Sequence, residues 1–180
     1  MQHPQIKFTY RDYLLLPEQD RRELIEGDFY VVPAPSIRHQ EILANLGTIL
    51  RDYVKGRRLG TVLWAPVDVV FSDEDVVQPD ILFVSEERRE IITEANISGA
   101  PDLVIEILSP STADRDKNLK MSLYGRAGVR EYWIVDPTDE TVQVLELGLG
   151  GYEVDKTYNA GKVFSSVLPG SNIEIGHIFA

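Results

Sequence analysis

Cysteine is absent from this 180-residue chain. That excludes disulfides, thiolate zinc sites and cysteine nucleophiles, and it fits the cytoplasm, the compartment expected here. No apolar run approaches the roughly 18 residues of a membrane span. The first ten residues, MQHPQIKFTY, show no basic region followed by an apolar core, so no secretory signal is expected. Internal repeats and low-complexity tracts are also missing. Positive charge is scarce: 18 Lys and Arg stand against 29 Asp and Glu, a formal net charge of −11. A protein living by non-specific phosphate contacts is usually basic. Nucleic-acid binding by this chain therefore requires a local basic patch, a divalent metal or a partner chain.

What is present suits one α/β domain over residues 1–180, long enough to bury a core. TYRDYLLL predicts a short helix, with Thr9 as N-cap and Asp12 three residues on. EQDRRELIEG predicts a second helical piece, stopped by Gly27, and DFYVVP predicts a strand. SIRHQEILANLGTILRDYV is the clearest helix. Ile42, Leu46, Ile49, Leu50 and Tyr53 fall on one face, and Ser36 can cap it. TVLWAPVDVVF and VVQPDILFVS predict a hairpin around the SDED turn, and EERREIITEAN a short charged helix or loop. PDLVIEIL predicts a strand apolar on both faces, which belongs in the middle of a covered sheet. A helix over SPSTADRDKNLKMSLYGRAG follows, capped by Ser111 and ended near Gly128. EYWIVDP and TVQVLELG are strands joined by a turn. Beyond them the tail predicts short strands separated by glycines. Strand, helix, strand over residues 101–136 predicts a crossover unit. The expected architecture is a mixed β-sheet with helices on both faces.

Glu106 is the anomaly in this pattern. It is the one charged residue of Leu103–Leu108. Alternation puts Leu103, Ile105 and Ile107 on one face, and Asp102, Val104, Glu106 and Leu108 on the other. The neighbouring strand carries its own acid, Asp80, on a face with Gln78 and Leu82. An unpaired buried carboxylate is costly, and two together are worse. A divalent cation between them reverses that penalty, and hard oxygen ligands suit magnesium or manganese. The plainer alternative is that Glu106 is exposed at a sheet end or paired with a basic side chain. Asp102 also follows a proline. Four residues along one strand, at about 3.3 Å each, set it about 13 Å from Glu106. That is too far to share an ion, so Asp102 is expected at the strand entrance, facing solvent. Asp116, Lys120 and Tyr124 recur at intervals of four on the next helix. Lys120 can then point at the acids, to stabilise charge or handle a water. The plainer reading is a surface pair with Asp116.

Together QPD, PDLVIEILSPST, the Asp116–Lys120–Tyr124 face and GVREYWIVDP resemble the Uma family of putative restriction endonucleases, within the PD-(D/E)xK nuclease superfamily. The resemblance runs from about residue 23 to 137. It implies a restriction-endonuclease-like core and magnesium-dependent cleavage of a phosphodiester, with DNA as the expected substrate and a homodimer as the expected assembly. Pro79-Asp80 matches the superfamily's PD, and Glu106 its second acid. Leu108 stands where the usual lysine would be, and the lysine maps instead to Lys120, with Lys117 as a neighbouring alternative out of register. The implied catalytic residues are Asp80, Glu106 and Lys120. The implied ligands of Mg2+ or Mn2+ are Asp80, Glu106 and the Ile107 carbonyl. Glu26, His39 and Gln78 are possible pocket residues; Glu26 can equally end its helix, and a lone His such as His39 is more often packed against the core. Tyr124, Tyr132, Trp133 and Trp64 read first as packing residues. Lys55, Arg57 and Arg58 form one basic cluster, and Arg115, Lys117 and Lys120 another, with Arg126 and Arg130 nearby. Their convergence beside the acids would make a phosphate track. The competing class is a catalytically degenerate nuclease-fold module acting in binding or assembly. A carboxylate-pair glycosidase is a third class, but no cleft rich in exposed aromatics is evident.

Overall fold

The computed structural model describes residues 6–17 and 20–180. Helix α1, Tyr10–Tyr13, is closed by a capping box between Thr9 and Asp12, as the sequence suggests. Strands β1, Arg22–Ile25, and β2, Asp28–Val31, follow, then helix α2, Ile37–Arg57, capped by the Ser36 side chain. Next come β3 (Gly60–Trp64), β4 (Val69–Ser72), β5 (Asp75–Val77) and β6 (Ile81–Ser85). A 3-10 turn over Glu86–Ile91 leads to β7 (Ile97–Ser98) and the central β8 (Leu103–Ile107). A π-helical turn, Arg115–Lys120, runs into α3 (Met121–Ala127), which ends on Gly128. The chain finishes with β9 (Glu131–Asp136), β10 (Thr141–Gly148), β11 (Gly151–Tyr158), β12 (Lys162–Val163), β13 (Ile173–Glu174) and α4 (Ile175–Ile178).

Two sheets carry the fold. The larger has the order β11-β10-β9-β8-β6-β3, and only β8 and β9 run parallel within it, as a crossover unit requires. The smaller has the order β2-β1-β5-β4-β7. One face of the large sheet packs on Ile42, Leu46, Leu50 and Val54 of α2, and on the C-terminal residues Val163, Leu168 and Ile178. The other face, through Leu82, Val104 and Ile134, meets Leu123 and Tyr124 of α3 and the small sheet's Ile25, Val69, Val77 and Ile97. The mixed α/β class is as expected. The second face, however, is covered by a sheet as well as a helix.

Several elements depart from expectation. The segment predicted as a second helix is a hairpin over its described residues; residues 18 and 19 lie outside the described ones. Glu26 and Gly27 both take positive φ, 52° and 74°, so β1 and β2 join by a two-residue turn of the kind that matches strand twist. Pairing of Glu23 with Tyr30 and of Leu24 with Phe29 then outweighs the helical preference of the isolated stretch. Both long predicted strands are cut in two by proline. Pro66 and Pro79 lack the N–H that would continue a ladder, so β3 and β6 enter the large sheet while β4 and β5 enter the small one. Ser109 rather than Ser111 starts the turn before the π segment; its carbonyl accepts from the N–H groups of Thr112 and Ala113. The tail ends in a short helix, α4, not only in strands.

Candidate active site

Pro79 stops pairing one residue before β6, and Asp80 fills the gap. Ile81 sits opposite Ile105, so the next step of the register sets Asp80 beside Glu106. Asp80 Oδ2 accepts from the Ile107 N–H at 2.8 Å, taking the place of a ladder bond. His39, on the first turn of α2, places Nε2 3.1 Å from the same oxygen. Burial pulls the His39 pKa down; the Asp80 hydrogen bond and charge and the Ile107 main chain outweigh it, and the imidazole lies above its ordinary 6.5. Asp80, Glu106, His39 and Gln78 all line one cavity of about 260 Å³, together with Glu23, Asp116 and Lys120.

Glu106 is 3% exposed. Its Oε1 accepts from Lys120 Nζ at 3.0 Å and from the Tyr124 hydroxyl at 2.5 Å. Lys120 is a hub rather than half of a surface pair. Its ammonium lies 2.7 Å from Glu23 Oε1, 3.0 Å from Glu106 Oε1 and 3.6 Å from Asp116 Oδ1. Burial opposes the charge on Lys120, but these three carboxylates outweigh it and hold the amine well above its usual range. One ammonium cannot serve three acids equally. Burial, with Asp116, Asp80 and Glu23 nearby, therefore holds Glu106 well above the ordinary carboxylate range despite Lys120. Asp116 is raised for the same reasons, burial first. Thr112 Oγ1 donates to Asp116 Oδ2 at 2.9 Å, while Asp116 Oδ1 is buried without a hydrogen-bond partner among the described residues. The helical spacing of four survives: Asp116, Lys120 and Tyr124 are all buried on the site side, although the first two sit in a π turn, a feature frequent at functional sites.

Other expected residues fall elsewhere. Glu26 stands in the exposed hairpin turn, pairs with Arg126 at 2.9 Å and does not line the cavity. With no helix there, it ends none. The acid that does reach the site is Glu23, three residues earlier. The sequence offered no alternation to reveal it, since RELI is two charged residues followed by two apolar ones. Gln78 lines the cavity through a structural network: its N–H donates to Glu23 Oε1 at 3.1 Å, and Nε2 donates to Tyr13 and Asp68. Asp102 is not solvent-facing. It has no accessible surface, accepts from the Ser85 N–H at 2.6 Å and pairs with Arg88 and Arg130. Lys117 is exposed, and Leu108 packs in the same core as Val104. Tyr132 and Trp133 are buried, whereas Trp64 is 39% exposed. The basic residues converge on the acids only in part: among the described residues Arg115 and Lys120 of the second cluster line the cavity, with Arg21, whereas Lys55 and Arg58 line another one.

Whether the donors suit a hard dication is a question of their chemistry. Among the described residues no three His, Asp or Glu side chains form a ready cage. Two carboxylates from neighbouring strands remain, each with one oxygen engaged in the bonds above. With Glu23 and Asp116 beside them, the cavity is lined by four carboxyl groups against Arg21, Arg115 and Lys120. Paired oxygen donors with room for water fit Mg2+ or Mn2+, which keep several waters and take one or two carboxylates.

A mixed sheet whose neighbouring strands β6 and β8 bring an Asp and a Glu to one cavity beside a helix-borne Lys defines a nuclease-like fold. The chain belongs to the Uma2 family, described as putative restriction endonucleases, whose model matches residues 10–176. It is similar to a crystal structure of a putative nuclease belonging to DUF820 from Anabaena variabilis, at a TM-score of 0.79 and 25% identity over 96% of this chain and 97% of that one. It is also 26% identical, over 131 residues, to the uncharacterized protein sll1609 of Synechocystis, covering 71% of this chain and 74% of that protein.

Proposed function

We propose that the chain is a divalent-metal-dependent endonuclease that hydrolyses phosphodiester bonds of nucleic acid, with DNA as the substrate. The observation that carries this reading is the pair Asp80 and Glu106, delivered by neighbouring strands to one cavity with Lys120 against Glu106. In it Asp80, Glu106 and the Ile107 carbonyl would hold Mg2+ or Mn2+. The ion, when bound, polarises the phosphate and lowers the pKa of a water. Lys120 remains an ammonium, so its task is to stabilise negative charge on the phosphate rather than to accept a proton. Glu23 and Asp116 hold that ammonium in place. Tyr124 fixes the Glu106 carboxyl, and His39 with the Ile107 N–H fixes that of Asp80.

Calorimetric titration with manganese of the wild type, Asp80→Ala and Glu106→Ala tests the site, followed by a nuclease assay on the same proteins and on Lys120→Ala. Binding heat in the wild type alone, and cleavage lost in all three variants, is the expected result. Lys120→Ala takes the shared cation from three buried acids, Glu23 keeping Arg115 at 3.7 Å, a loss of about 3–5 kcal/mol. Circular dichroism therefore accompanies the assay, to separate unfolding from lost catalysis. Equal manganese heat in Asp80→Ala and the wild type would remove the basis of the reading. Leu108, packed in the core where the superfamily lysine stands, favours one rival: a module that binds nucleic acid without cutting it. That rival predicts metal-independent binding and no cleavage by any of the four proteins. A homodimer belongs to the same reading, and sedimentation at increasing concentration tests it.

A further inference from the structure

The most concentrated positive charge in this acidic chain lies away from the acid cavity. Four of its 18 Lys and Arg fall within residues 51–58: Arg51, Lys55, Arg57 and Arg58. All four are exposed. Among the described residues, Lys55, Arg57 and Arg58 form no ion pair, while Arg51 meets only its neighbour Asp52, at 3.5 Å. Arg51 and Lys55 lie four apart on α2, Arg58 caps its end in the left-handed conformation, and all three line a cavity of about 570 Å³ with Thr61, Val62 and Glu86. Its other wall is β3, an edge strand of the large sheet. The main-chain N–H groups that β3 does not offer to β6 remain available there to a phosphate.

This surface runs towards the acid cavity. Helix α2 begins at that cavity, with His39, Gln40 and Leu43 lining it, and ends at the basic cluster. Strand β3 runs beside it in the opposite direction and leads into Ala65 and Pro66, which line the acid cavity. Between the two lies Trp64. Its ring lies over Gly47 of α2, where an added Cβ would stand at 3.4 Å, ordinary contact distance. The Arg51 guanidinium sits 5.9 Å from the ring centroid. Trp64 is nonetheless 39% exposed. From Leu43 to Lys55 the helix rises about 18 Å, a length over which one strand of a duplex presents about five phosphates.

We propose that the α2–β3 face is the nucleic-acid track of this chain. Arg51, Lys55 and Arg58 hold the phosphates of one strand, and Trp64 stacks an unpaired base on the way to the acid cavity. A basic groove with an aromatic platform is the general solution for binding a single strand without regard to sequence. It also answers the problem the net charge poses, since the strand is gripped away from the acids. The inference rests on the nuclease reading above and adds where the substrate lies.

The test measures binding of a labelled single-stranded oligodeoxynucleotide in EDTA over a range of salt. The proteins are the wild type, the triple variant Arg51→Ala/Lys55→Ala/Arg58→Ala, Trp64→Ala, and a charge-matched control, Arg11→Ala/Lys156→Ala/Lys162→Ala. All substituted cations are exposed, and melting curves check folding. The α2 triple variant is expected to flatten the slope of log K against log salt by about 2, at about 0.7 per lost phosphate contact on a single strand. Trp64→Ala is expected to weaken binding about 10-fold with the slope unchanged. The control should match the wild type. Equal weakening by the control would overturn the proposal. So would a changed oligomeric state of the α2 variant with binding intact, which would give this face to a second copy of the chain. If the wild type cleaves DNA with metal and the α2 variants bind as it does, the track is wrong and the nuclease reading stands. If the wild type neither binds nor cleaves nucleic acid, both fall.

Discussion

At the residue scale, the site is built at the expense of stability, and Glu106 shows the sign of the trade. Its folded pKa lies above the ordinary 4.5. A carboxyl group with a raised folded pKa binds more protons folded than unfolded, so it destabilises the fold progressively as pH rises from the unfolded value through the folded one. Glu106→Gln removes that ionisation and keeps an oxygen for the Tyr124 hydroxyl. It is therefore expected to raise Tm at pH 8 while leaving it nearly unchanged at pH 4, and to abolish cleavage at both. Calorimetric melting at the two pH values checks it. A variant that is less stable at pH 8 than the wild type would mean that the Lys120 pair outweighs burial. Function constrains other residues here too. Asp116 Oδ1, buried and, among the described residues, without a hydrogen bond beyond its 3.6 Å ion pair with Lys120, is an oxygen that a fold selected for stability alone would satisfy more fully.

Elements were legible from sequence in proportion to how much of their pattern was their own. The α2 stripe of Ile42, Leu46 and Leu50, and the doubly apolar run of β8, read directly because burial imposes a period on each. Asp80 and Glu106 were legible for the opposite reason: an acid in an apolar strand breaks the period. Helix-forming residues around Glu23 and Leu24 hid β1, because its strand state depends on partners distant in sequence, Val76 in β5 among them. Asp102 was misjudged because its cations, Arg88 and Arg130, come from a 3-10 turn and from the loop before β9. It ties the start of β8 to both. Burial raises its pKa, but the Ser85 N–H and the two guanidinium groups outweigh that and leave it below the ordinary 3.8. A lowered folded pKa contributes stability above the unfolded value and loses it as pH falls through the folded one. Asp102→Ala is expected to lose about 2 kcal/mol at pH 7, in line with charged hydrogen bonds. Denaturant titrations should show the gap to wild type closing below about pH 4. A gap unchanged at pH 3 would mean that Asp102 acts by packing rather than by charge.

At the scale of the whole molecule, the two faces of the large sheet are closed by different means, and only one of them depends on the chain's last segment. Residues Val163, Leu168, Ile173, Ile175 and Ile178 are buried against α2 and the sheet. Polar ties fix the same segment. Glu131, fully buried, accepts from the Ser166 N–H and hydroxyl at 2.7 and 2.6 Å, Tyr53 donates to the Pro169 carbonyl at 2.6 Å, and Arg38 donates to that of Phe179 at 2.7 Å. Little of this was readable beforehand, since the tail's short apolar pieces carry no period long enough to name their partner. Its removal would bare the α2 face and leave Glu131 with the Trp133 indole N–H on Oε1 but neither Ser166 donor on Oε2, both penalties. The α3 face and the acid cavity would keep all their contacts. A chain ending at Tyr158 is thus expected to lose cooperative melting and to bind a hydrophobic dye at room temperature. Retention of a sharp melting transition in that truncated chain would show that α2 and the sheet hold each other without a cover. The core would then be smaller than the buried tail implies.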